Sequence, residues 1–264
     1  CRSTQGCGGA GNRCRIDRIQ TEVEGQRQRF VWGGACSLYD RGARQAKLPD
    51  GAPDPFRERE ELAEWLLEGL QEPRGLPRLA LTDEFTLKGH MPIFARFLWG
   101  LGFDLELARG GEQRQLKRGI EEANVPFCAP MQHLHGLVSQ MLERRPDLIF
   151  LPMLRSLERV GGEPRAVLCP VVQASPDLLR LDLAHAAEGC RVLSPVLDVG
   201  EQGLDSAELR EGLWRMAQEL GRDRATFTAA FDGALALQAR FDEGCQAIGQ
   251  AALDFCQAAD RVPV

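Results

Sequence analysis

Four of the nine cysteines in this chain lie within its first 36 residues, at Cys1, Cys7, Cys14 and Cys36. Clustered thiols indicate a disulfide framework in a short secreted protein and a metal site in an intracellular one. The rest of the chain favours the metal, because 264 residues that are 44% hydrophobic can bury a core without covalent staples. A Gly-rich segment of this size buries no core of its own, so we expect the four thiols to converge on one metal.

Two further cysteines, Cys128 and Cys169, each follow a short apolar run and precede a proline by one or two residues. If both runs are parallel strands, the two thiols lie at carboxyl ends of strands, where open α/β sheets bind their ligands. Thiolate is a soft ligand suited to iron–sulfur clusters and zinc. The alternative is that both are simply buried, since cysteine is among the most buried residue types. Cys190, Cys245 and Cys256 are interpreted as core residues.

His133 and His135 come just after Cys128 at the start of a predicted helix. Residues two apart do not share a helical face, so we do not expect them to bind one ion together. Either imidazole is suited to hydrogen-bond a cluster sulfide or to act as an acid beside it. Asp83 and Glu84, at the end of the first predicted strand, are interpreted as a helix-capping or solvated pair rather than as a general acid and base.

Short apolar runs alternate with helical patterns through the middle of the chain, which predicts an α/β fold with a parallel sheet and helices on both faces. The predicted strands are Arg78–Leu81, Asp104–Ala108, Val125–Phe127, Leu148–Leu151, Ala166–Leu168 and Arg191–Leu193. The predicted helices are Phe56–Leu70, Met91–Leu101, Glu112–Ala123, Met131–Glu143, Pro176–Ala187, one that begins near Asp205, and Asp223–Ala258. A hairpin is predicted from Arg15–Val23 and Arg29–Trp32.

These patterns divide the chain into four parts. Residues 1–47 form a Cys-rich metal-binding segment, 48–75 a linker and amphipathic helix, 76–200 the α/β domain, and 201–264 a helical region. Since the chain starts on Cys1 rather than Met, we expect it to be a mature product or an excised piece.

The composition argues against several classes of function. The net charge is -6 and the basic residues are interspersed with acids, which disfavours nucleic acid as a partner. No apolar run is long enough to cross a membrane and no secretory leader is evident, so we expect a cytoplasmic protein. Neither a Walker-type phosphate loop nor a dinucleotide-binding glycine motif is present, and we expect no ATP binding or hydrolysis by the chain alone.

Five segments together resemble a known family: Pro77–Leu81, Met91–Phe103, Phe127–Gly136, Pro146–Pro152 and Leu168–Val171. In order and spacing they are similar to the 2-hydroxyacyl-CoA dehydratase-related domain of large CoA-substrate-specific enzyme activases. The front segment, with Asn12-Arg-Cys14 and Gly33-Gly-Ala-Cys36, resembles the Cys-rich stretch that precedes that domain, although the spacing of Cys1, Cys7 and Cys14 is wider than in the family pattern. The resemblance covers nearly the whole chain.

The resemblance implies a Rossmann-like lobe that holds a four-iron four-sulfur (4Fe-4S) cluster through cysteines from separate lobes. By match of position, Cys128 and Cys169 would be the cluster ligands of this lobe, while the front cysteines would bind a second cluster or zinc. The implied partners are an ATP-binding activator of the actin and heat-shock-chaperone superfamily and either a further dehydratase-like lobe or a second copy. The implied activity is low-potential one-electron transfer to or from a CoA thioester or another redox partner.

Two alternatives stay open beside this interpretation. In the first alternative, the chain is a structural or regulatory module held together by an all-thiolate zinc site, with no catalysis of its own. Alternatively, it is an α/β enzyme that binds a small metabolite at the carboxyl edge of the sheet, and its cysteines are incidental. Colour and metal content separate these hypotheses, because Cys-ligated iron–sulfur clusters are brown and zinc proteins are colourless.

Overall fold

A computed structural model of the chain describes residues 16–23, 26–33, 51–109, 111–125, 127–159, 166–200 and 202–263. The chain divides into two compact units, residues 1–53 and 54–264. The predicted metal ligands Cys1, Cys7, Cys14 and Cys36 lie outside the described residues.

The described part of the first unit is an antiparallel hairpin. Its strands are β1 (Ile16–Val23) and β2 (Gln26–Gly33), and the pairing runs from Ile16 opposite Gly33 to Val23 opposite Gln26. The second strand begins three residues before the predicted Arg29, so Arg27 is a strand residue. The Arg27 guanidinium lies 2.8 Å from the Glu22 carboxylate, an exposed ion pair across the hairpin.

The second unit is built on a four-stranded sheet of order β4-β3-β5-β7, in which every neighbouring pair of strands is parallel. A second parallel pair, β6 and β8, continues beyond β5 and β7. The strands are β3 (Arg78–Thr82), β4 (Asp104–Ala108), β5 (Leu148–Phe150), β6 (Met153–Ser156), β7 (Arg191–Leu193) and β8 (Val196–Asp198). The helices are α1 (Pro55–Leu67), α2 (Met91–Gly100), α3 (Gln113–Glu122), α4 (Ala129–Glu143), α5 (Pro170–Asp182), α6 (Ala207–Glu219) and α7 (Arg224–Ala258), with 3-10 turns at Glu68–Leu70 and Gly203–Asp205.

Helices cover both faces of the sheet, which confirms the predicted fold class. Side chains alternate along β3: Leu79 and Leu81 pack against α1, α2 and α7, while Ala80 packs against α4 and α5. Four successive buried side chains, Leu79–Thr82 of β3, are typical of a strand in a parallel sheet covered on both sides.

Two predicted strands are absent. Val125 and Phe127, the described residues of the first, do not belong to a strand, and the Phe127 amide donates to the Val125 carbonyl at 2.9 Å. Leu168 makes a single backbone hydrogen bond, to the carbonyl of Arg155 in β6, and Ala166–Leu168 is not a strand. Pro126 lies within the first run, and Pro164 and Pro170 lie close to the second. Proline has no amide proton to donate to a neighbouring strand, so the apolar pattern alone predicted strands that do not form.

Helix α5 begins six residues before the predicted start at Pro176. Pro170 occupies its first turn, where a proline costs nothing, and Pro176 lies inside the helix. A proline at position 176 cannot donate to the carbonyl of Val172. The Ser175 hydroxyl donates to that carbonyl instead, at 2.8 Å, and this replacement explains how the helix continues through the proline.

Helices α3 and α4 cross in backbone contact at two glycines. A Cβ on Gly136 would lie 2.7 Å from the Gly119 nitrogen and 2.8 Å from the Gln115 carbonyl carbon, and nearer still to the Gln115 carbonyl oxygen. A Cβ on Gly119 would meet Gln132 in the same way. Only glycine at both positions permits this approach, which sets the position of α4 relative to α3.

Helix α7 starts where the sequence predicts, because the Asp223 side chain accepts a hydrogen bond from the Thr226 amide at 2.7 Å. Phe227 and Phe231 on α7 are fully buried and contact Phe97 of α2 edge to face. Among the described residues, no helix combines the length and the apolar character needed to span a bilayer.

Candidate functional site

The carboxyl end of β3 is the position where the topology predicts a crevice, because the chain leaves β3 for α2 on one face of the sheet, whereas the segments that follow β4 and β5 cover the other face. Open α/β sheets bind ligands at such a point. Loop residues 83–90 therefore lie where a ligand site is expected.

An ion network fixes this loop. Asp83 is 2% exposed, and its carboxylate lies 2.9 Å from the ammonium of Lys88. Lys88 also lies 3.1 Å from Glu60 of α1, and Arg109, just after β4, lies 3.0 Å from Glu60 and 3.6 Å from Asp83. Burial opposes the charged form of Glu60, but hydrogen bonds from Arg59 and Lys88 outweigh it and hold the pKa of Glu60 below its usual value. Three cations, Lys88, Arg109 and Arg59, surround the two carboxylates, and the network positions the loop.

This arrangement corrects the interpretation of Asp83 as a capping or solvated residue. Sequence reasoning missed the network because its members come from α1, the β3 loop and the end of β4. The one available signal was the position of Asp83, directly after an apolar strand.

The amino terminus of α2 is held by a side chain from α7. The Gln238 amide oxygen accepts from the Ile93 amide at 3.1 Å, and its nitrogen donates to the Gly89 carbonyl at 2.8 Å and to Asp242 at 2.9 Å. Gln238 is 2% exposed, so these bonds form away from water. His90 caps α2, and burial lowers the pKa of its imidazole although the charges of Asp242 and Glu158 oppose the shift.

Cys128 and Cys169 occupy equivalent positions, since each is the N-cap residue of a helix and each is exposed. Cys128 caps α4, whose first turns lie beside the β3 loop and whose C-terminal end meets Arg78 at the start of β3. Cys169 caps α5 and follows Leu168, which bonds to β6 beyond the carboxyl end of β5. Both thiols therefore lie on the carboxyl side of the sheet.

Neither thiol follows a strand. The sequence placed them on the carboxyl side of the sheet because a strand was expected before each of them. They are instead positioned by the helices that they precede, with Pro130 and Pro170 in the first turns. The partial positive charge of a helix N-terminus stabilises a nearby anion such as a thiolate.

His133 and His135 have different surroundings. His133 lies at the crevice, with Nδ1 3.5 Å from the Glu84 carboxylate. His135 is 1% exposed, and its Nε2 lies 3.2 Å from Asp182 of α5, which also accepts from the Asn124 amide at 2.6 Å. The structure thus brings His133 to the crevice beside Cys128 and directs His135 towards a buried contact between α4 and α5.

The remaining described cysteines differ from this pair. Burial, with a smaller effect from the charge of Asp147, raises the pKa of Cys190 to about 11. Burial also raises the pKa of Cys245. Cys190, Cys245 and Cys256 are all half-buried, whereas Cys128 and Cys169 are exposed.

Within the described ranges, no group of three or more His, Cys, Asp or Glu side chains is arranged to hold a metal ion. Cys128 and Cys169 therefore account for at most two ligands of a four-ligand site. Further ligands would have to come from residues outside those ranges or from another chain.

Comparison with known proteins places this geometry in a family. The family model described as the CoA enzyme activase uncharacterised domain matches residues 76–263, from just before β3 to beyond the end of α7. No curated protein and no solved structure matches the chain. Because the match covers well over half of the sequence, the chain belongs to the CoA enzyme activase domain family.

Proposed function

We propose that this chain is an iron–sulfur-binding lobe of a 2-hydroxyacyl-CoA dehydratase or activase-like system, with Cys128 and Cys169 as ligands of a 4Fe-4S cluster. The observation that supports this most is the pair of exposed thiols, each at the N-terminus of a helix on the carboxyl side of one sheet. The family membership agrees with such a system.

The residues present fit one half of a cluster site. Thiolate is the usual protein ligand of iron–sulfur clusters, and both thiols are accessible. Coordination requires the anionic form of each thiol, so metal binding would release their protons. The fit is incomplete within the described residues, so the proposal includes further ligands from a second lobe or a second copy. Cys1, Cys7, Cys14 and Cys36 would hold a second cluster or zinc.

The other residues of the crevice have supporting roles in this proposal. The network of Asp83, Lys88, Glu60 and Arg109 and the Gln238 amide hold the loop and the start of α2 in place at the carboxyl end of β3. His133, 20% exposed at the crevice, is placed to donate a proton or hydrogen bond towards a group bound there. A bound cluster would supply one-electron chemistry at low potential, tuned by hydrogen bonds and exposure.

The proposed partner is an ATP-dependent activator, as the name of the family suggests in general terms. The sequence carries no nucleotide-binding signature, so the energy for an uphill electron would come from another protein or domain. We propose an activator of the actin and heat-shock-chaperone superfamily, and either a further dehydratase-like lobe or a second copy to complete the cluster site.

Anaerobic purification followed by iron, sulfide and zinc analysis tests the proposal. We expect a brown protein that contains iron and sulfide, and we expect Cys128→Ala and Cys169→Ala each to lose them. Cys256→Ala is the matched control, because Cys256 is a half-buried thiol on α7 and should be dispensable. Colourless protein with stoichiometric zinc would support the zinc-stapled module instead. A metal-free protein would overturn both and favour a small-metabolite enzyme.

A further inference from the structure

A groove of about 370 Å³ runs along β7 and the start of β8, between α5 and α6. Three arginines from three elements line it: Arg180 of α5, Arg191 of β7 and Arg215 of α6. The volume is in the range of sites for small organic ligands. Arg180 is about three turns along α5 from Cys169, so the groove is separate from the thiols.

The positive charge of the groove is only partly compensated. Arg215 lies 2.8 Å from Glu211, and Arg180 lies 3.9 Å from Asp177. Arg191 has no carboxylate within 4 Å among the residues that the structure describes. One acid, Glu219, also lines the groove, so its lining carries an excess of positive charge.

The polar and apolar parts of the lining are separated. The Arg180 guanidinium donates to the Ser194 hydroxyl at 3.3 Å, which leaves the hydroxyl proton free to be donated to a ligand. Leu193 and Met216, each 4% exposed, form an apolar floor. An anionic head can therefore contact guanidinium groups while an apolar body covers the floor.

We propose that this groove binds a small organic phosphate. A guanidinium matches the oxygens of a phosphate with two parallel hydrogen bonds, and converging arginines suit a dianion better than a monoanionic carboxylate. Glu219 in the lining, with Asp177 and Glu211 beside the arginines, would repel a long polyanion such as nucleic acid. The groove volume holds one phosphate with a ring or a short aliphatic group.

Isothermal titration calorimetry of the full chain with phenyl phosphate, inorganic phosphate and benzoate tests the proposal. We expect saturable one-to-one binding of phenyl phosphate, tighter than that of inorganic phosphate, which lacks the apolar body, and of benzoate, which lacks the dianion. Arg191→Gln should weaken phenyl phosphate at least about tenfold, and Arg215→Gln should also weaken it. Arg57→Gln, which removes an exposed arginine of α1, is the control and should leave the affinity unchanged.

Three outcomes would overturn the proposal. The first is an absence of saturable binding up to about 10 mM phenyl phosphate. The second is an equal loss of affinity for phenyl phosphate in the Arg57→Gln and Arg191→Gln variants. The third is tighter binding of a short DNA duplex than of phenyl phosphate. Benzoate binding as tightly as phenyl phosphate would reassign the site to carboxylates. Urea unfolding of each variant separates lost binding from lost structure.

Discussion

The close crossing of α3 and α4 at two glycines predicts how far one added methyl group lowers the free energy of unfolding. In Gly136→Ala the new Cβ would lie 2.7 Å from the Gly119 nitrogen, whereas ordinary contacts begin near 3.4 Å. The obstacle is backbone on the facing helix, and the Gln115 carbonyl oxygen is nearer still, so α3 must move by more than the roughly 0.7 Å that the Gly119 contact alone requires. Overpacking of this kind costs about 1–3 kcal/mol, and a rigid obstacle favours the upper end.

The intrinsic helix preference of alanine offsets part of this cost, by about 1 kcal/mol. We therefore expect Gly136→Ala to lower the free energy of unfolding by about 2 kcal/mol. Gly249→Ala on α7 is the matched control: that helical glycine has no atom within 4 Å of an added Cβ, so the same change should stabilise the protein by up to about 1 kcal/mol. Urea unfolding followed by circular dichroism measures both. A Gly136→Ala protein as stable as the Gly249→Ala protein would refute the close crossing.

Three further predictions concern single side chains. Gln238→Ala leaves the Ile93 amide and the Gly89 carbonyl unpaired, so it should lower the free energy of unfolding, measured in urea, by about 2–3 kcal/mol. The control Gln250→Ala, which changes an exposed side chain of α7, should lower it by less than about 0.5 kcal/mol. The pKa of His90 is lowered on folding, so stability should fall as pH drops below about 6.5, and His90→Gln should flatten that dependence. The Cys190 thiol, with a pKa of about 11, should react with iodoacetamide at pH 7.5 much more slowly than exposed Cys128, as mass spectrometry of the peptides would show.

Strong local signals explain the parts of the fold that the sequence predicted well. Strand β4 has the predicted bounds because an apolar alternation lies between clear turn residues. Helix α7 begins after Asp223 as predicted because its cap is local, three residues from its bonding partner. The family resemblance, drawn from the order of several segments, is confirmed by the family match over residues 76–263.

The errors arose where a side-chain hydrogen bond or a distant residue decides the local structure. Helix α5 continues through Pro176 because a neighbouring hydroxyl takes over the free carbonyl, a compensation that periodicity does not report. Leu168 pairs with Arg155, and Gln238 binds Ile93 from 145 positions away, so neither contact leaves a local pattern. Cys128 lies on the carboxyl side of the sheet, but as the cap of a helix rather than as the end of a strand. Its assignment as a metal ligand stays a prediction.

Alkylation footprinting tests the central claim, that Cys128 and Cys169 bind one cluster, most directly. The iron-loaded chain and the same protein after chelation of its iron are treated with iodoacetamide under anaerobic conditions, and mass spectrometry reports the labelling of each cysteine. We predict that Cys128 and Cys169 are both protected in the loaded protein and both labelled after chelation, while the labelling of Cys256 does not change. Equal labelling of Cys128 or Cys169 in the two states would contradict the claim.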